Sequence, residues 1–169
     1  MAVGTGDEMA RVGSPRTTGS VERRVFVHAA PRTVWAALHE PGNLEAIFPE
    51  LRFGPATPAW PAAATTRPAR ARLGLLREAA TVESLEARPA TSFRIRVTAS
   101  GFRSEWSWRL EPTAGGTRVV HAATLDPLDR WAGLLMRVGY QSLGGRVETH
   151  LRILKERAEA TELRAGRPA

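Results

Sequence analysis

Three consecutive segments between residues 91 and 125 alternate between apolar and polar side chains, and this alternation constrains the fold more than any other feature. A period of two is typical of a β-strand with one buried face. Gly101 and residues 112–116 separate the segments and predict tight turns. The three segments therefore predict an antiparallel sheet with one covered face. The inward-facing set is Phe93, Ile95, Val97 and Ala99, then Phe102, Ser104, Trp106, Trp108 and Leu110, then Val119, His121, Ala123 and Leu125.

The residues before this region predict a strand followed by two short helices. Residues 21–27 are rich in β-branched side chains, which favours a strand. Pro31 is suited to the first turn of a helix, because its missing N–H is not needed there. Val34, Trp35 and Leu38 then follow at helical spacing. A second short helix is predicted by Leu44, Ile47 and Phe48, and it is expected to end at Pro49.

Prolines dominate the next stretch, which predicts a long loop or a ragged sheet edge over residues 55–66. A proline cannot donate a hydrogen bond, so a proline-rich stretch is excluded from a central strand. Residues 70–87 are expected to form two strands that meet near Gly74. Val82 and Leu85 are the expected inward residues, and the change of phase between them predicts a β-bulge.

Residues 128–163 are predicted to be helical. Within them Val147, Leu151, Leu154 and Ala158 follow the spacing of one buried helix face. Glycine in a helix interior costs about 1 kcal/mol relative to alanine. Gly139, Gly144 and Gly145 therefore indicate either a kink or break in the helix, or small residues that leave room beneath it.

Together these elements predict an α+β fold. We expect a curved antiparallel sheet of about six to seven strands that grips a long C-terminal helix, with two short helices after the first strand. The expected domain covers residues 20–163, between a disordered tail at 1–19 and a short tail at 164–169. Since a helix is only about 10–12 Å across, it cannot cover a wide curved sheet, and the gap beside it is a candidate ligand pocket.

The composition excludes several classes of protein. The chain has no cysteine, which excludes disulfides, thiol nucleophiles, iron–sulfur clusters and thiolate zinc sites. No apolar run is long enough for a transmembrane helix, and the N-terminus lacks the apolar segment of a secretory signal. A cytoplasmic protein is therefore expected. None of the four histidines, His28, His39, His121 and His150, forms a ligand pair typical of metal sites, and no cofactor-binding motif occurs, so neither metal nor cofactor is expected.

The net charge is the unusual feature of the composition: 24 basic and 17 acidic residues give +7. A basic excess can indicate binding to nucleic acid, to an anionic membrane or to an acidic ligand. Lys155 is the single lysine, and the arginines are spread along the chain. Because basic blocks and interleaved aromatic residues are both missing, nucleic acid is not an expected partner. The arginines are interpreted either as a solvated surface or as a functional patch for anions.

The order of elements and several short motifs resemble the START-like helix-grip proteins, also called the SRPBCC superfamily. The motifs are the opening at residues 25–38, Val-Phe-Val-His-Ala-Ala-Pro-Arg-Thr-Val-Trp-Ala-Ala-Leu, then Pro41, Leu44-Glu45 and Phe48-Pro49, and Gly116-Thr117-Arg118-Val119 in a late strand. The resemblance covers about residues 21–160 and is strongest to the polyketide cyclase/dehydrase and lipid-transport branch. It implies a hydrophobic cavity between sheet and helix. Members bind lipids, polyketides, hormones or aromatic compounds, and a minority are enzymes. The superfamily has no shared catalytic set, so no catalytic residue is carried over.

Candidate site residues lie on the predicted inner face, the last helix and the proline-rich loop. His121 is the candidate for acid–base chemistry or ligand orientation, because an imidazole titrates near neutral pH; the alternative is a buried histidine with one satisfied hydrogen bond. Tyr140, the single tyrosine, either presents its hydroxyl to a ligand or packs. Trp60 is a candidate lid or contact residue, since few neighbours are expected to bury it. The remaining candidate lining residues are Phe93, Ile95, Trp106, Trp108 and Leu135.

Three functions are compatible with this sequence. The leading hypothesis is binding of a small hydrophobic ligand, such as a lipid, polyketide or aromatic compound, under the last helix. The first alternative is a cyclase or dehydratase that uses the same cavity, with His121 moving a proton. The second is a protein-interaction module, linked to chaperones, that uses the arginine surface and Trp60. The sequence leaves enzymatic activity, a protein partner and a homodimer open.

Overall fold

An antiparallel sheet of seven strands in the order β1-β7-β6-β5-β4-β3-β2 forms the body of the protein. The computed structural model describes residues 19–40, 42–73, 76–128 and 142–165. The sheet curves around a long C-terminal helix, and two short helices follow the first strand, as predicted for an α+β helix-grip fold. The elements are β1 (Ser20–Val27), α1 (Pro31–His39), α2 (Asn43–Ile47), β2 (Leu51–Phe53), β3 (Thr66–Leu73), β4 (Leu76–Arg88), β5 (Ser92–Ala99), β6 (Phe102–Thr113), β7 (Gly116–Pro127) and α3 (Leu143–Ala165).

The predicted alternation places one set of side chains of β5, β6 and β7 on a buried inner face. Every residue of that set is buried except Leu125, which is partly buried and packs against the core. The outer face carries the polar and charged residues, among them Arg96 and Glu105, which form an ion pair of 2.7 Å. The two-residue turn between β6 and β7 uses Gly115 at a φ of 81°, a conformation in which glycine carries no steric penalty.

The predicted bulge in β4 is confirmed, because the register with β5 shifts between Ser84 and Glu86. Leu85 is the residue left out of this pairing, and it is only partly buried. Ser84 points inward instead and is fully buried. Its hydroxyl donates to the carbonyl oxygen of Pro61 at 2.6 Å, which ties the proline-rich loop to the sheet.

The proline-rich residues form the connection between β2 and β3, as predicted, and Pro68, which follows the predicted loop, lies inside β3. The short strand β2 pairs only with residues 69–71, so Pro68 sits just beyond the end of its neighbour. At this position the missing N–H removes no bond of the β2–β3 ladder.

Helix α3 packs on β1, β7, α1 and α2 through one buried face. This face contains the predicted stripe and adds Leu143 and His150. Gly144 and Gly145 lie in the first turn of α3, where the cost of an interior glycine does not apply. The predicted helical residues 129–141, including Gly139, lie outside the described residues, as do 1–18 and 166–169 of the predicted tails. In the described part of the chain, no helix is long and apolar enough to cross a bilayer.

Candidate ligand-binding site

The inner face of the sheet is graded in side-chain size from one end to the other. One cross-strand row consists of Phe93, Trp108 and His121, and the next of Ile95, Trp106 and Ala123. Further along, Val97, Ser104 and Leu125 form a row of medium size. At the far end Ala69, Ala80 and Ala99 lie side by side on β3, β4 and β5. The sheet therefore offers an aromatic floor at one end and the short side chains of β3, β4 and β5 at the other, where Phe102 follows Ala99 at the start of β6.

Aromatic rings pack closely at the large end of this gradient. The Trp108 indole stacks on His121 with ring centroids 4.3 Å apart and on Phe93 at 5.8 Å. Phe48, which follows α2, meets Trp108 edge-on at 5.6 Å and contacts the His150 ring at 4.4 Å. Phe48 thus joins the sheet to α3 through ring contacts.

His121 is fully buried in this cluster, and its hydrogen bonds define its protonation. Its Nδ1 lies 2.9 Å from the carbonyl oxygen of Ser107, which can only accept, so Nδ1 carries the proton. The pKa of His121 is lowered from 6.5 to about 3, chiefly by burial and also by charge on His150, while the bond to Ser107 opposes both effects. His121 is therefore neutral near pH 7, and its Nε2 is an acceptor.

His150 continues the chain of polar groups from His121 toward Glu50. Its Nδ1 lies 3.3 Å from His121 Nε2 and acts as the donor. On the other side, His150 Nε2 lies 3.3 Å from Glu50 Oε1, although the two atoms do not meet the geometry of a hydrogen bond. Burial raises the pKa of Glu50, but the nearby His150, a backbone hydrogen bond and the charge of Arg146 together outweigh burial and lower the pKa below its ordinary value.

Glu50, His150 and His121 therefore form a line of polar groups that runs from the surface into the interior. The Glu50 side chain at the outer end of this line is 16% exposed, whereas the His150 side chain is 1% exposed.

Trp108 supplies a further polar atom without a partner. Its Nε1 is buried and makes no hydrogen bond in the described part of the chain, in contrast to Trp106 Nε1, which donates to Ser104 Oγ at 2.9 Å. A buried donor left unpaired costs about 1–3 kcal/mol. An acceptor oxygen supplied from outside the chain would remove this penalty.

The structure brings five of the predicted site residues together on the inner face. Trp60 is partly buried and packs against the core, contrary to the expectation that few neighbours bury it. Two hydrogen bonds to Ser84 hold its loop on β4: the Ser84 hydroxyl donates to the Pro61 carbonyl, and the Ala64 N–H donates to the Ser84 carbonyl at 2.7 Å. Leu135 and Tyr140 lie outside the described residues. The residues on the inner face together are Phe93, Ile95, Trp106, Trp108 and His121.

Sequence reasoning missed Glu50 and His150. His150 lies three residues after Val147 and therefore on the buried face of the predicted helix, so helical spacing could have found it. Glu50 follows Pro49 in a turn and carries no periodic signal. No group of three metal-ligating side chains in the described ranges is arranged to hold a metal ion.

The family model described as "Polyketide cyclase / dehydrase and lipid transport" matches residues 18–159. The chain belongs to this family. The match confirms the resemblance seen in the opening and late-strand motifs. No curated protein matches the chain in sequence.

Solved structures share the fold. TTHA0849 from Thermus thermophilus is 24% identical with a TM-score of 0.64, over 85% of this chain and 99% of that one. MLL2253 from Mesorhizobium loti is 16% identical with a TM-score of 0.63, over 85% and 98%. DR_A0006 from Deinococcus radiodurans is 15% identical with a TM-score of 0.60, over 85% and 99%. Likeness at these identities concerns the fold alone.

Proposed function

We propose that the protein binds a small, mainly apolar ligand that carries an oxygen acceptor, between the inner face of the sheet and α3. The indole N–H of Trp108, which has no partner among the described residues, carries this proposal, because it is a buried donor in a mainly apolar, aromatic surrounding. Pockets of this kind are mostly apolar with a few polar groups that orient the ligand. Membership in a family described by polyketide chemistry and lipid transport supports the same conclusion.

The graded inner face supports a particular placement of the ligand. An elongated ligand fits this face with its oxygen at Trp108 and its apolar body extending toward Ala80 and Ala99, because Ala99 lies six residues beyond Phe93, the partner of Trp108, or roughly 20 Å along β5. Burial of about 250 Å² of apolar ligand surface contributes roughly 6 kcal/mol before the costs of ordering. The hydrogen bond adds orientation more than affinity.

Replacing Trp108 with phenylalanine is expected to weaken the binding of 2-naphthol about three- to tenfold, the effect of losing one net hydrogen bond. Naphthalene has no oxygen, so its affinity should change far less in the same variant. Both affinities are measured by displacement of a fluorescent apolar dye. Trp35→Phe, which makes the same indole-to-phenyl change on α1, is the matched control. Equal losses for both ligands, or no saturable binding of either, contradict the proposal.

A second candidate function is a cyclase or dehydratase, and the Glu50–His150–His121 line is the observation that favours it. A general acid–base pair needs two coupled titratable groups, and the sequence alone supplied only His121. In this line Glu50 accepts a proton, His150 transfers it, and His121 holds the His150 ring in one orientation.

If the line is catalytic, Glu50→Gln should lower the rate of dehydration of a β-hydroxy ketone substrate about 10²- to 10⁴-fold, as is typical of losing a general acid–base group. Binding of the same ketone is measured in parallel, and it should fall much less than the rate. Unchanged turnover in Glu50→Gln, or a loss of binding that accounts for the whole effect, excludes this role.

A further inference from the structure

Four arginines form a continuous patch on the outer face of the sheet, at the end formed by β2, β3 and β4. Arg52 on β2 lies directly opposite Arg70 on β3, and Arg72 lies directly opposite Arg77 on β4. All four side chains are exposed, while Ala69 and Ala71, which alternate with them on β3, are buried on the inner face. We call these residues, Arg52, Arg70, Arg72 and Arg77, the arginine patch.

The charges of the arginine patch are not compensated within the described residues. None of its four members makes an ion pair or a side-chain hydrogen bond there, and the directly opposed pairs are of like charge. Like charges directly opposite each other on a sheet are destabilising. Elsewhere on the outer face the opposite holds: Arg96 pairs with Glu105 and Glu83, and Arg118 pairs with Glu111.

The sequence around the patch points to a lipid surface rather than to nucleic acid. In the sequence, the four residues that separate Arg72 from Arg77 are Leu73, Gly74, Leu75 and Leu76, three of them apolar leucines. Basic residues beside apolar ones match an anionic bilayer interface. A nucleic-acid surface would instead interleave aromatic residues with the basic ones, and no aromatic residue lies between the arginines of β3 and β4.

The position of the patch links it to the ligand site. The row Arg52–Arg70 on the outer face runs beside the inner-face row that contains Ala69 and Ala80. The patch therefore marks the same end of the sheet as the short side chains that we assign to the apolar body of the ligand. An apolar ligand partitions into bilayers. A protein that binds a bilayer through the arginine patch therefore holds its ligand site close to the place where the ligand is concentrated.

We propose that the arginine patch docks the protein on anionic phospholipid bilayers, where it exchanges its apolar ligand; the exchange rests on the proposed function, whereas the docking does not. The contact is electrostatic and peripheral. It is expected to weaken steeply with salt, because screening shortens the reach of each charge.

The test is sedimentation of the full chain with vesicles, without added ligand. The protein should bind equimolar phosphatidylcholine–phosphatidylglycerol vesicles and not phosphatidylcholine vesicles. Arg70→Gln/Arg72→Gln should weaken this binding roughly 30-fold, since each arginine contributes about fivefold near an anionic surface. The matched control is Arg94→Gln/Arg103→Gln, which removes the same charge from the same face of the sheet. In this control region each arginine lies directly opposite an acidic residue, Arg94 opposite Glu86 and Arg103 opposite Asp126. The control variant should weaken binding by a much smaller factor.

Three outcomes overturn the docking proposal: equal losses in the two double variants, no preference for anionic vesicles, or binding to duplex DNA that depends on the patch while vesicles are ignored. Ligand binding in the interior is measured separately, by displacement of a fluorescent apolar dye with 2-naphthol in solution without vesicles. If vesicles bind and 2-naphthol does not, the proposed function fails alone. If 2-naphthol binds equally to the wild type and Arg70→Gln/Arg72→Gln but vesicles do not bind, the docking fails alone.

Discussion

Phe48→Ala is expected to lower the free energy of unfolding by about 3–5 kcal/mol, the range for removing a buried phenylalanine ring. Phe48 is fully buried, and its ring contacts Trp106, Trp108 and His150, so the cavity left behind is walled by rigid rings that cannot collapse into it. The residue also holds the turn after α2 against the sheet and α3. Urea unfolding followed by tryptophan fluorescence measures the effect.

Phe26→Ala is the matched control for this prediction. Phe26 lies on the outer face of β1 and is 37% exposed, so the same change should cost much less. Equal losses of stability for the two variants would show that the Phe48 ring cluster does not hold the sheet, the α2 turn and α3 together.

Acidification is expected to destabilise the protein through His121. The pKa of this group is lowered from 6.5 to about 3, chiefly by burial, so between these values the unfolded chain binds a proton that the folded chain does not. Stability therefore falls as the pH falls through this window, and the group contributes no change above it. Going from about pH 7 to about pH 5, the loss from His121 alone is about 2 kcal/mol, at 1.36 kcal/mol per unit.

The measurement compares wild type with His121→Asn by urea unfolding at several pH values above about 5, where the carboxyl group of Glu50 contributes little. The variant is less stable at neutral pH, because it loses the stacked imidazole on Trp108. Its stability should nevertheless fall less on acidification, by about the same 2 kcal/mol. Parallel pH profiles for the two proteins would contradict the assignment of a neutral, buried His121.

Much of the fold could be predicted from the sequence because strand alternation is a local signal. The two-residue period of a strand predicts the inward-facing residues of β5, β6 and β7, and the break in that period predicts the bulge before Glu86. The exact position of Pro68 could not be predicted, since it depends on where β2 ends, and that is set by tertiary pairing.

The candidate site was less accessible from the sequence, because its polar line joins three distant parts of the chain. His121 was found through its strand, but the contact with His150 requires the packing angle of α3 on the sheet. Glu50 reaches the interior only through the turn that Phe48 anchors. The sequence left a functional arginine patch open, but its position could not be predicted for the same reason: Arg52 meets Arg70 only through the β2–β3 register.

The most direct test of ligand binding at this site is the indole N–H resonance of Trp108 in a ¹⁵N-labelled sample titrated with 2-naphthol. The resonance is assigned by its disappearance in Trp108→Phe. If the naphthol oxygen accepts from Trp108 Nε1, this resonance shifts downfield and saturates with one equivalent of bound ligand. If it stays in place while 2-naphthol binds, or if no 2-naphthol binds at all, the interior does not hold the ligand as proposed.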